Sequence, residues 1–307
     1  MYDLVIIGGG PAGVAAGVYA ARKQLKTLLV TFEWGGQSNV SDAIQNWIGT
    51  ISISGPDFAK ALKAHLEAYK NDIVHIKEPD KVTAIERKDG HFLVKMESGE
   101  SAETKTILLT VGSNRRKLDI PGAQKFEHKG ITYCASCDGP VFAGQDVVVV
   151  GGGNAGFESA AQLLAYAKSV TLIQRSGEYR ADPITVEKVL ANPKMKGITN
   201  TELIEVKGDK FVQGLVYKDL TDGQIKEIPC TGIFVEVGLI PSTQFLGNLV
   251  ALNEREQIII DPRTQATRTP GIWAAGDATD VLYHQNNIAA GDAVRALEDI
   301  YMHLTTR

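Results

Sequence analysis

The chain has 307 residues, 44% of them apolar and 22% charged, with a formal net charge of −4. That is about twice an ordinary domain length, so two domains are expected, and the balance excludes a disordered, collagen-like or disulfide-dense protein. No block of Lys or Arg stands out, which argues against a nucleic-acid partner.

Met1-Tyr2-Asp3 leads directly into a strand pattern, without the basic region and cleavage site of a secretory signal. No apolar run approaches the roughly 18 residues of a membrane span. Three cysteines suit a reducing compartment, so a cytoplasmic protein with no membrane partner is expected. Residues 3–13 read DLVIIGGGPAG: an apolar β-branched run, a G-x-G-x-x-G turn and a small-residue helix pattern expected over 14–22. A second strand follows at 27–30. Residues 81–96 predict a hairpin turning at Asp89-Gly90, and a further turn at Ser98-Gly99 leads to a strand over 107–111. Residues 113–122 are polar and turn-rich and predict a crossing into a second domain.

The same plan then recurs. Residues 146–156 read DVVVVGGGNAG, with the fingerprint displaced by 143 residues. A helix is expected over 157–167 and a strand over 169–173. Strands at 203–206 and 215–219, with turns near Gly208 and Gly223, precede a last strand at 233–237. Pro241-Ser242-Thr243 marks the return, and 258–307 predict a strand (IIID), a turn, a strand (IWAAG) and a final helix. The repeat predicts an α/β fold of two Rossmann-like three-layer nucleotide-binding domains, the second inserted into the first. The expected boundaries are 1–115 with 243–307 for one domain, and 116–242 for the other.

A G-x-G-x-x-G after a strand permits a tight turn and close approach of a diphosphate to a helix N-terminus. One copy is weak evidence, but two copies in βαβ context predict two nucleotide sites and transfer between two cofactors. The run Cys134-Ala135-Ser136-Cys137-Asp138 can close a small disulfide and form a thiolate near neutral pH. Half of a zinc site is the alternative, but zinc wants four ligands, and Cys230 and His128 are not at a paired spacing. No metal is expected. A dithiol beside two nucleotide sites points to a two-electron relay. Asp138 suits a proton donor to a leaving thiolate, and equally a turn or cap residue. Cys230 reads as a small buried apolar residue.

Taken together, these motifs resemble the low-molecular-weight thioredoxin reductase family. The resemblance spans almost the whole chain: GGGPAG at 8–13, EWGGQ at 33–37, Asn46-Trp47, CASCDGP at 134–140, GGGNAG at 151–156 and AAGDAT at 274–279. CDGP and the run GIFV at 232–235 resemble in particular the reductase core of the alkyl hydroperoxide reductase flavoproteins. Those carry a further N-terminal dithiol domain; this sequence opens at the FAD strand, so a separate dithiol partner is expected. The resemblance implies FAD held by Gly8, Gly10, Pro11, Ala12, Gly13, Glu33, Gly36, Gln37, Asn46, Asp277 and Gln285. It implies NADPH or NADH on Gly151, Gly153, Asn154, Ala155, Gly156, Glu158, Arg175 and Arg180. Cys134 and Cys137 would be the redox pair, with Cys137 nearer the flavin, and Asp138 the acid. It also implies a homodimer, a thioredoxin-like protein disulfide as partner, and an inserted domain that swings.

Some residues depart from the family pattern. NADPH-using relatives carry His-Arg-Arg after the second strand of the insert, with a further Arg four residues on. Here the run is Gln174-Arg175-Ser176, with Arg180 later and no acidic residue at the strand end. Arg175 and Arg180 suit a 2′-phosphate, or are solvated surface charges, so NADPH is expected over NADH by one short argument. His284 stands where many relatives have Arg. Two other readings of the relay remain: feeding by a donor such as ferredoxin, and a flavin-dependent dithiol oxidase.

Overall fold

Tyr2–Gly9 forms a strand (β1) because its aliphatic run fits a strand covered on both faces. Leu4, Val5 and Ile6 are fully buried, and their direction alternates. Leu4 and Ile6 enter a core built with helices, while Val5 and Ile7 enter one on the opposite face. The computed structural model describes residues 1–41, 43–69 and 73–306.

After β1 come a helix over Pro11–Arg22 (α1), β2 (Thr27–Trp34), α2 (Gly55–Glu67) and β3 (Val74–Lys77). β4 (Val82–Lys88) and β5 (His91–Met96) close a hairpin in which Lys88 faces His91 across Asp89-Gly90. β6 (Ser101–Leu109) divides its length between neighbours. Residues 101–104 pair antiparallel with β5, and Ile107–Leu109 pair parallel with a strand from late in the chain. β7 (Ser113–Arg115) follows.

The chain divides into two compact units, Met1–Asn114 with Ile240–Arg307, and Arg115–Leu239. The second holds β8 (Ile131–Thr132), α3 (Ala135–Asp138), β9 (Asp146–Val150), α4 (Asn154–Leu163), β10 (Ser169–Ile173), α5 (Pro183–Leu190) and β11 (Met195–Ile198). β12 (Thr201–Gly208), β13 (Val212–Asp219) and β14 (Ile225–Pro229) form an antiparallel sheet, and β15 (Gly232–Val235) rejoins the parallel one. The chain returns through β16 (Leu239–Pro241), which pairs with β7, then β17 (Ile272–Ala274) and α6 (Asn286–Thr306).

Each unit is centred on a parallel sheet. The orders are β3-β2-β1-β6-β17 and β11-β10-β9-β15-β8. β9 repeats the alternation of β1. Val147 and Val149 face the core of α4, and Val148 and Val150 face the core shared with β13. In each unit the middle layer is therefore the parallel sheet, with helices on one face and an antiparallel β excursion on the other. These are the two Rossmann-like three-layer folds that the repeat predicts. In both, the strand carrying the fingerprint lies between strands on its two sides, so ligands belong outside its carboxyl end.

Both fingerprint helices start three residues before the expected position, α1 at Pro11 and α4 at Asn154. The glycine turn is complete at its third residue, and Pro11 presets a helical φ at the first position. α4 also stops at Leu163 rather than 167. The Tyr166 carbonyl is taken by the Gly144 N–H at 2.9 Å, which draws the last turn out of the helical ladder. The expected strand at IIID is a correction: residues 258–260 make only isolated bridges, to Leu252, Thr279 and Thr267. Among the described residues, no helix is long and apolar enough to cross a membrane.

Candidate functional site

The two glycine loops are near copies in geometry. Gly8 and Gly151 take φ of +120° and +125°, values that side chains rarely adopt. A Cβ on Gly13 would sit 1.9 Å from the Gly8 carbonyl oxygen, and one on Gly156 1.8 Å from that of Gly151. Only glycine lets each helix approach its own strand end so closely. Gly10 and Gly153 are the N-caps, both in extended conformation, and offer no side-chain cap. Neither α1 nor α4 has an acidic residue in its first turn. By contrast, Ser54 caps α2 through the Asp57 N–H, and Asp182 caps α5 through the Ile184 and Thr185 N–H groups. The uncapped pair thus keep their first N–H groups and positive dipole ends for an anion, and the residues present fit a dinucleotide diphosphate.

Around the first loop the structure gathers residues far apart in sequence. Thr110 Oγ1 donates to the carbonyls of Ile7 (2.9 Å) and Gly8 (3.2 Å) and fixes the end of β1. Gln37 Nε2 donates to Ser113 Oγ at 3.1 Å and reaches Asp277 Oδ2 at 3.5 Å. Asn46 Nδ2 donates to Gln285 Oε1 at 3.1 Å, and its carbonyl accepts from Asn287 Nδ2 at 2.7 Å. Ser38 Oγ donates to Asn286 Oδ1 at 2.9 Å. A Cβ on Gly36 would lie 3.8 Å from Gly10 Cα, and one on Gly276 3.6 Å from the Ala12 Cβ. Gly36, Gln37, Asn46, Asp277 and Gln285 therefore converge where α1 and α6 begin. Glu33 lies exposed at the end of β2. His284 Nδ1 stands 3.4 Å from Asp277 Oδ1. Thr110, Ser113, Asn286 and Asn287 are additions the sequence did not single out, because each is an ordinary polar residue whose partner is distant along the chain.

The cysteines form the disulfide Cys134–Cys137, with Cα atoms 5.3 Å apart. Cys134 opens the single turn of α3, and its Sγ accepts from the Cys137 N–H at 3.2 Å. Both cysteines are half-buried. Asp138 closes the same turn, with its N–H donated to the Cys134 carbonyl at 3.0 Å, and its carboxylate accepts from Thr132 Oγ1. Ser136 Oγ donates to Gln162 on α4 at 3.0 Å. On the other side, Tyr133 OH donates to Glu127 at 3.0 Å, and burial together with that carboxylate pushes the phenol up. Cys230 is free and buried, and desolvation pushes its thiol up to about 12.

Around the second loop, Asn154 Oδ1 accepts from the Asp182 N–H at 2.9 Å, while Ala155 and Glu158 are exposed. Gln174 Oε1 accepts from the Gly152 N–H at 3.0 Å, and its Nε2 donates to Ser176 Oγ at 2.7 Å. The Arg180 N–H donates to the Gly152 carbonyl at 2.8 Å. Gly152 is thus held from both sides by one loop, and Arg175 and Arg180 are exposed on that loop.

Similar proteins share this layout. Residues 2–294 match the family described as pyridine nucleotide-disulphide oxidoreductase. The chain is 40% identical over 304 residues to the F subunit of alkyl hydroperoxide reductase from Xanthomonas campestris pv. phaseoli, covering 99% of this chain and 57% of that protein. It is 36% identical over 295 residues to a protein of Bacillus subtilis named NADH dehydrogenase, again covering 57% of it. The chain therefore spans somewhat more than half the length of these relatives. Thioredoxin reductase from Streptococcus pyogenes superimposes with a TM-score of 0.87 at 34% identity, over 100% of this chain and 99% of that one. The Giardia duodenalis thioredoxin reductase gives 0.89 at 30% identity, over 98% and 99%. These kinships imply FAD and NAD(P)H as the cofactors, in keeping with two uncapped glycine loops. With the fingerprint repeated and the disulfide at Cys134–Cys137, the chain belongs to the pyridine nucleotide-disulphide oxidoreductase family, in its low-molecular-weight thioredoxin reductase-like branch.

Proposed function

We propose that this chain is an FAD-dependent disulfide reductase that draws electrons from NAD(P)H and passes them through Cys134–Cys137 to a thioredoxin- or glutaredoxin-like protein. The observation that carries the reading is the disulfide at the head of α3, with Asp138 in the same turn. When bound, FAD supplies the two-electron carrier between nicotinamide and the thiol pair. The first unit would hold it, through the Gly8–Gly13 loop, Glu33, Gly36, Gln37, Asn46, Asp277 and Gln285. The second would hold the nicotinamide dinucleotide through the Gly151–Gly156 loop, with Glu158, Arg175 and Arg180 at its rim.

Reduction of the pair leaves two thiols. The Cys137 N–H aimed at Cys134 Sγ favours negative charge on that sulfur. One thiolate attacks a sulfur of the partner disulfide and the partner's other sulfur leaves as a thiolate. The second cysteine then attacks the mixed disulfide, which restores the Cys134–Cys137 bond and releases the partner as a dithiol. Asp138, held by Thr132, moves the proton that neutralises a leaving thiolate. Its replacement in Asp138→Asn is expected to slow turnover by roughly 10² to 10⁴-fold while the flavin stays bound.

A second reading of the partner is favoured by the 40% identity to the F subunit of alkyl hydroperoxide reductase: a dithiol module that feeds a peroxidase. The choice of nicotinamide is also open to test. Arg175 and Arg180 support NADPH, and the Bacillus subtilis relative named NADH dehydrogenase supports NADH. Turnover with each nicotinamide, a thioredoxin and a peroxidase-linked dithiol protein tests both points. Turnover with a protein disulfide that vanishes in Cys134→Ser and in Cys137→Ser is the expected result. Equal turnover in those variants contradicts the reading. The expected assembly is a homodimer, read from the mass in solution.

A further inference from the structure

Glu236 follows β15 and adjoins the second glycine loop. Its N–H donates to the Val150 carbonyl at 2.8 Å, and its own carbonyl oxygen lies 2.3 Å from where a Cβ on Gly151 would sit. The side chain turns to α4, where Oε1 accepts from Ser159 Oγ at 2.6 Å. The carboxyl is thus bonded to the helix whose N-terminus would take a diphosphate, while the backbone of the same residue lies against Gly151. The charged groups that act on it are Arg115 and Glu158. Burial raises its titration and the Glu158 carboxylate adds to this, while the Ser159 hydroxyl and Arg115 oppose it; the net direction is upward.

We propose that Glu236 is a positioning residue that sets the affinity of the second glycine loop for a dinucleotide's diphosphate, which is held most tightly while Glu236 carries its proton. The inference rests on the proposed assignment of the dinucleotide to this loop. Ionised, the carboxylate places a negative charge against α4, the helix whose first N–H groups would take the diphosphate, and like charges weaken each other's binding. Protonated, it adds no charge, and the Ser159 hydroxyl can still bond it to α4. Because coupling is reciprocal, binding a diphosphate must draw a proton onto Glu236.

The test is calorimetric binding of NAD+ to the oxidised, FAD-loaded protein from roughly pH 5 to 9, in buffers of differing ionisation enthalpy. NAD+ is the probe because the ionisation of its diphosphate does not change over that range. The expected result is a dissociation constant that rises several-fold with pH, with proton uptake on binding. In Glu236→Gln the constant stays near its low-pH value and the proton uptake disappears. Ser159→Ala, which removes a group that stabilises the carboxylate, moves the midpoint of the transition to higher pH, and it carries the test if Glu236→Gln fails to fold. Wild-type binding that is flat with pH, or an E236Q variant that keeps the wild-type slope, overturns the inference while leaving the dinucleotide site standing. Failure of both NAD+ and NADP+ to bind at any pH overturns the assignment of the dinucleotide, and the inference with it.

Discussion

Gly13 and Gly156 are required because a Cβ would stand within 2 Å of a backbone oxygen. Gly13→Ala is expected to lower stability by ~1–3 kcal/mol and empty the protein of flavin, while Gly156→Ala keeps flavin and loses nicotinamide binding. Flavin absorbance and dinucleotide binding, measured side by side, separate the two; equal loss of flavin in both contradicts the assignment of one cofactor to each loop. Cys230 was legible as a small buried residue, and the same burial raises its thiol by desolvation. A thiol reagent is expected to label no cysteine in the oxidised folded protein, Cys134 and Cys137 after reduction, and Cys230 only on unfolding. The family resemblance brought the residues of the first loop to one site, but their pairings were not legible. Gln37 meets Asp277 across 240 positions, and Asn46 meets Gln285 across 239, and nothing local in the sequence marks such pairs.

At the scale of elements, type was more legible than extent. β1 and β9 follow from runs of aliphatic residues, and the hairpin at Asp89-Gly90 from its turn residues. Helix starts were missed because the fingerprint itself supplies the first helical turn. The strand expected at 258–261 failed because its residues find only isolated partners and no ladder. Capping separates the helices by role, since side chains close α2 and α5 while glycines leave α1 and α4 open. Ser54→Ala removes the Asp57 N–H acceptor and is expected to cost about 1 kcal/mol, with flavin content unchanged. Denaturant titration of the loaded protein checks the cost; a change in flavin content would contradict a purely structural role for that cap.

The whole molecule was legible through its repeat, because duplicated fingerprints imply duplicated sheets. The alternation of buried residues in β1 and β9 turns that implication into two cores for each sheet. Each unit has its own cores, so each is expected to unfold as its own cooperative block. Removing FAD should lower the melting temperature of the first unit and leave the second near its original value. A cofactor at 100 times its dissociation constant contributes about 2.7 kcal/mol to the state that binds it. Calorimetry of the FAD-loaded and FAD-free protein reads this as one transition moving and the other staying; both moving together contradicts binding by the first unit alone.

The central claim is that Cys134–Cys137 stores electrons in series with the flavin. Anaerobic reductive titration of the FAD-loaded protein, followed by flavin absorbance, measures it most directly. The wild-type chain is predicted to take up twice the electron equivalents of the Cys134→Ser, Cys137→Ser double variant before reduction is complete. Equal uptake by the two proteins would contradict the relay.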